Sequence, residues 1–153
     1  MAMDTVTYPD KRVASYIGQH FVPVKVHVKE KPDIATSYEV SWTPNVVVAD
    51  EGGKARSRIE GYLPPEDFLA QLALGLGRYE LDRQQFDKAL HHFEEVSQRH
   101  KGSEAGAQAL YWLGVAQYKQ SKDPARLRPS WDKLMKDYPN SEWAKRANVP
   151  KKS

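Results

Sequence analysis

The sequence predicts a two-part chain, α/β plus all-α: a small α/β unit in front and a helical array behind it. Three observations carry this. Runs with strand character, "FVPVKVHV" and "NVVVAD", occur only in the front half. Gly and Pro turn signals separate those runs. Behind them every apolar pattern has helical spacing, and the pattern echoes itself at 37 to 38 residues. The expected organisation is an α/β unit over 1–76, helical repeats over 77–148 and a disordered tail over 149–153.

The front unit reads as follows. Val6, Val13, Tyr16 and Ile17 are spaced for a helix, interrupted by Pro9, which predicts a short helix over 10–18 ending near Gly18. In 21–28, Val22, Val24, Val26 and Val28 alternate with Phe21, Pro23, Lys25 and His27, which predicts a strand. Pro32 and Asp33 open a short helix, since proline suits a first helical turn. Trp42-Thr43-Pro44 makes a corner, because proline inside a strand is confined to edges, first residues and bulges. A continuous buried strand follows over 45–50. Asp50-Glu51-Gly52-Gly53 reads as a hairpin turn, with a return strand over 54–62. Pro64-Pro65-Glu66 starts a helix bearing Phe68, Leu69, Leu72 and Leu76.

The rear half reads as helices throughout. Phe86, Ala89, Leu90, Phe93 and Val96 share one face. Ala109, Leu110, Leu113 and Val115 form the next, with Gly106 and Gly114 allowing close helix contact. Trp131, Leu134 and Met135 mark a third, and Ser141 caps a last short helix. Leu76-Gly77 recurs as Leu113-Gly114, and Phe93 recurs as Trp131.

Composition excludes several functions. The chain of 153 residues has no cysteine, so thiol chemistry, disulfides and Cys-bound zinc are impossible within it. A net charge of +3, well mixed, does not call for a nucleic-acid partner. The concentrated basic stretch, Lys145, Arg146, Lys151 and Lys152, reads as a solvated tail. No apolar run approaches spanning length, and "MAMDTVTYPDKR" has no signal-peptide character, so no membrane partner and a cytoplasmic location are expected for the sequence as given. Met1-Ala2 reads as a cloning scar before Met3.

No constellation points to a metal, a cofactor or a catalytic group. His91 lies one helical turn from Glu95, but His92 faces only Val96 and His100 is two turns away, so exposed histidines without a metal are expected. Asp50-Glu51 has no second acidic pair. A phosphate loop and a nucleophile elbow are absent. Lys25 reads as a charged strand-edge residue. Trp112 and Trp143 are the candidates for a partner surface on the repeats, since Trp is enriched in interface hot spots.

Two resemblances add to this reading. "YWLG" followed by Tyr118, "FDKAL" followed by Phe93, and Tyr138-Pro139 resemble tetratricopeptide repeats, in particular those ending "YPNS" in bacterial envelope adaptors. The likeness covers about 70–148, two repeats plus a cap. It departs where Leu81 stands in the place of Tyr118, and where Leu127 replaces a small residue. The front order of Val-rich strand, proline-led turn, "YEVSWTP", apolar strand, Gly-Gly hairpin, "EGY" and helix resembles thioredoxin from the middle of its second helix onward.

The thioredoxin resemblance implies that Pro44 is the family's cis proline, preceded by Trp42 and Thr43, and that Gly61, followed by Tyr62, is the glycine after the last strand. It implies that the first strands and the Cys-x-x-Cys would lie before Met3. In the family the missing second strand sits between the 21–28 and 45–50 strands. Its loss leaves two unpaired edges. They would pair with each other, be filled by another chain, or belong to a fragment.

The functional expectation is a non-catalytic protein-interaction module. It would bind a protein or peptide at the corner Trp42, Thr43, Pro44, Gly61 and Tyr62, and at Trp112 and Trp143 on the repeats. Self-association through the unpaired strand edge or through the helical repeats is a further expectation. The alternative is a fragment or mis-started form of a thiol–disulfide oxidoreductase whose redox motif lies upstream of Met3.

Overall fold

The computed structural model describes residues 2–150. Of the tail expected over 149–153, residues 151–153 lie outside the described residues, as do Lys151 and Lys152 of the basic end and Met1 of the start. The chain forms two compact units, Met1–Leu72 and Ala73–Ser153.

The first unit begins with a π-helical turn, Met3–Thr7, that sequence patterning did not anticipate. Burial explains it: Met3 and Thr7 both point inward, and the Thr7 hydroxyl donates to the Leu63 carbonyl at 2.5 Å. Helix α1, Lys11–His20, starts where expected because the Asp10 carboxylate accepts from the Arg12 and Val13 amides. Arg12 also pairs with Glu66. Helix α2, Pro32–Ser37, begins on its proline as expected.

Strands β1 (Asn45–Ala49) and β2 (Ala55–Glu60) form an antiparallel two-stranded sheet, with Val46 opposite Ile59 and Val48 opposite Ser57. Alternation turns Val46 and Val48 to the same face. They join a core of Met3, Val13, Ile59, Phe68 and Leu72, edged by Tyr8, Tyr16, Ile17, Phe21, Leu63 and Leu69. Tyr8 meets Phe68 edge-on, with ring centroids 5.9 Å apart. Helix α3 runs Pro65–Asp82, so its early residues close this core and its later ones belong to the second unit.

Two expectations fail here. Residues 21–28 are not a strand, and they do not pair with β1. A strand exists through its ladder bonds, and among the described residues no neighbour supplies them. Pro23 has no N–H to offer, while Val22 and Val24 are 90% and 79% exposed. Nor is β1 buried throughout. Only Val48 is fully buried and Ala49 is exposed, because one face of the ribbon lies on the core.

The hairpin is organised by Asp50. Its Oδ1 accepts from the amides of Lys54 (2.9 Å) and Gly52 (3.0 Å), and its Oδ2 accepts from Arg56 Nε at 2.8 Å. Gly53, at φ +81°, supplies the left-handed residue of the turn. The Lys54 amide, then the Arg56 side chain and the Gly52 amide, hold the Asp50 carboxyl below its ordinary range. A pKa depressed on folding contributes stability that is complete above the unfolded value, about 3.9, and is lost as pH falls through the folded one. The Asp50→Asn variant is therefore expected to melt below the parent chain at pH 7. That gap should close as melting curves are taken toward pH 2.

The second unit contains the later part of α3, α4 (Phe86–Arg99), α5 (Glu104–Ser121), a 3₁₀ turn (Pro124–Leu127), α6 (Arg128–Asp137) and α7 (Glu142–Ala147). Ser103 and Ser141 cap α5 and α7 through the Gly106 and Trp143 amides. The echo in the sequence is an echo in packing. A Cβ on Gly77 would sit 2.6 Å from Phe93, and one on Gly114 would sit 2.7 Å from Trp131. Each glycine admits the aromatic ring of the following helix. Gly106 likewise makes room for the Tyr138 hydroxyl.

His92 corrects the expectation of exposed histidines. It is 8% exposed, and its Nδ1 lies 2.6 Å from Glu80 Oε2 of α3. Its partner comes from another helix, so spacing within α4 could not reveal it. His91 does stay on the surface, 3.6 Å from Glu95.

Candidate interaction surfaces

The first surface is the corner ahead of β1. The Thr43–Pro44 peptide is cis, and the Pro44 carbonyl accepts from the Gly61 amide at 2.8 Å. That bond ties the corner to the end of β2. Gly61 adopts φ +81°, a conformation that L side chains rarely take, which accounts for glycine there. Trp42 on one side is 70% exposed and Tyr62 on the other 45%. Thr43 is exposed and Pro44 half-buried. The fold thus brings together all five residues expected at this corner. Among the described residues β1 pairs only with β2, so its other edge carries backbone donors and acceptors without a strand partner.

Lys25 Nζ is 2.9 Å from Asp4 Oδ1, which holds the Asp4 carboxyl below its usual range and raises Lys25. Among the described residues no group of three or more His, Asp or Glu side chains converges as a metal site. No described helix is long and apolar enough to cross a membrane.

The second surface is aromatic. Tyr111 stacks on Trp131, with centroids 5.2 Å apart and planes 13° apart. The Trp131 Nε1–H donates to the Tyr111 carbonyl at 3.0 Å. Trp112 and Trp143 lie 6.4 Å apart, both half-buried. The two residues expected on the repeat surface therefore meet, although one comes from α5 and the other from α7. Arginines extend the row. Arg78 of α3 lies 4.5 Å over Trp112, and Arg146 of α7 lies 4.5 Å over Trp143. Arg146 was legible as a neighbour of Trp143 one turn along its helix. Arg78 was not, since only the tertiary fold brings α3 to α5.

Comparison with known families agrees with this geometry. Residues 2–75 match the family model for a thioredoxin-like domain. Residues 108–141 match that for a tetratricopeptide repeat, and this stretch contains the Gly114–Trp131 contact. No curated protein and no solved structure was found to match the chain. The front of the chain is thus thioredoxin-like over 2–75, and its helical part carries a tetratricopeptide-like repeat over 108–141.

Proposed function

We propose that the chain is a non-catalytic protein-interaction module that captures an extended peptide by strand addition at the Trp42–Pro44 corner and a second segment on its repeats. The observation that carries it is the exposed Trp42 beside an unpaired β1 edge. Main-chain bonds along an edge give such binding its affinity, and side chains flanking the edge give selectivity. Trp42 and Tyr62 are placed to do so. A chain without cysteine has no thiolate, so it performs no thiol–disulfide exchange by itself. The same edge suits a second copy of the chain, which makes self-association at high concentration the competing use of this surface.

Selection from a displayed random-peptide library tests the reading. Peptides enriched on the chain should bind in fluorescence anisotropy, and Trp42→Ala should weaken the corner-directed ones about tenfold, or ~1.4 kcal/mol. A library that yields no binder above background sinks the proposal.

A second reading is favoured by the unpaired stretch over 21–28. In it the domain is the distal part of a thiol–disulfide oxidoreductase, and a Cys-bearing strand from a preceding segment completes the sheet. The coding DNA ahead of Met3 decides: an in-frame Trp-Cys-x-x-Cys supports this reading, and a stop codon next to a ribosome site removes it.

A further inference from the structure

The row Arg78, Trp112, Trp143, Arg146 combines two aromatic faces with an unusual balance of donors and acceptors. Arg78 is half-buried, yet among the described residues it has no carboxylate or carbonyl partner, and its only contact of this kind is the Trp112 ring. Trp112 Nε1 is buried and likewise has no acceptor. Arg146, more exposed, shares its charge with Glu142 one turn earlier. A guanidinium stacked on a ring uses its flat face, and its N–H donors lie in the plane, directed outward from the stack. Arg78 therefore offers in-plane donors with no acceptor of its own, beside apolar ring area that ends at a second cation, Arg146.

From this we infer that the repeat surface docks an acidic peptide segment, with a carboxylate on the Arg78 guanidinium and an apolar side chain of the same segment against Trp112 and Trp143. The inference rests on the interaction-module reading and names the partner chemistry of its repeat surface. Carboxylate is the complement because it only accepts, and it can bridge two N–H groups of one guanidinium. Stacking fixes the plane of Arg78 before the ligand arrives, so less side-chain freedom is lost on binding. Lysine would not reproduce this, because an ammonium is a point charge without a face to stack.

The test uses the full chain and three labelled peptides of one apolar frame: Phe-Glu-Asp-Leu-Glu, its Gln/Asn isostere and its Lys counterpart. Anisotropy titrations at low salt should show the acidic peptide binding at least tenfold more tightly than the other two, with affinity falling as NaCl is raised. Arg78→Gln should remove that preference, and Arg78→Lys should restore only part of it, with both variants melting close to the parent chain. Equal binding of the acidic peptide and its isostere, or an acidic preference that survives Arg78→Gln, overturns the assignment. The displayed library separates this failure from that of the module reading. Repeat-directed binders without Asp or Glu enrichment overturn the acidic partner alone, whereas no binders at all remove both.

Discussion

Phe93→Ala is expected to lower the stability of the helical unit by about 3–5 kcal/mol, the usual cost of truncating a buried phenylalanine. Phe93 is fully buried, and its ring occupies the space left by the absent side chain of Gly77. On the Gly77 side the ring meets backbone, so no side chain there can move in to fill the space. The contact also predicts a coupled result. Gly77→Ala should gain about 1 kcal/mol of helix propensity, yet lose about 1–3 kcal/mol to a Cβ that cannot fit beside the ring. In a Phe93→Leu background the Gly77→Ala penalty should shrink, since the two sites share one contact. Urea unfolding followed by tryptophan fluorescence checks both. Three of the four tryptophans, Trp112, Trp131 and Trp143, lie in this unit, and Trp42→Phe silences the fourth. Additive single and double variants would show that the glycine and the ring are not in contact.

Phe68→Ala should cost the first unit about 3–5 kcal/mol as well. Here the fraction of total stability is the point. An isolated two-stranded ribbon is marginal in water, so β1 and β2 depend on the core they share with Met3, Val13 and Leu72. Phe68 is among the largest side chains buried there, and it also supports the Tyr8 ring. Small domains hold about 5–15 kcal/mol in all, so this loss should broaden or abolish the dispersed amide signals of Val46, Val48 and Ile59 in a ¹H–¹⁵N correlation spectrum. Trp42→Ala is the matched control. Its side chain is mostly in solvent, and the change should stay within about 0.5 kcal/mol. Retention of dispersed β1 and β2 signals in Phe68→Ala would refute this account of the core.

Local chemistry made much of the fold readable. Asp10 marks the start of α1 because its carboxylate serves amides two and three residues on. Asp50 and Gly53 mark the hairpin because each acts within the turn itself. The corner residues were legible as a set only through the thioredoxin resemblance; the structure ties Pro44 to Gly61 by a backbone hydrogen bond. The π-helical turn at Met3–Thr7 was not legible, since its cause is a bond to Leu63 far along the chain.

What the sequence determined by itself is the division into an α/β part and a helical part, the helix starts, the hairpin and the absence of thiol chemistry. These depend on composition, or on residues within a turn or two of each other. What only the tertiary structure decided is whether a segment finds its partner. The alternating valines of 21–28 have strand character but no ladder, so they do not form a strand. His92 is a surface residue by spacing and a buried one by fold, because Glu80 comes to meet it from α3. Arg78 gains its place over Trp112 the same way. A propensity acts along the chain, whereas pairing, burial and charge complementarity act across it.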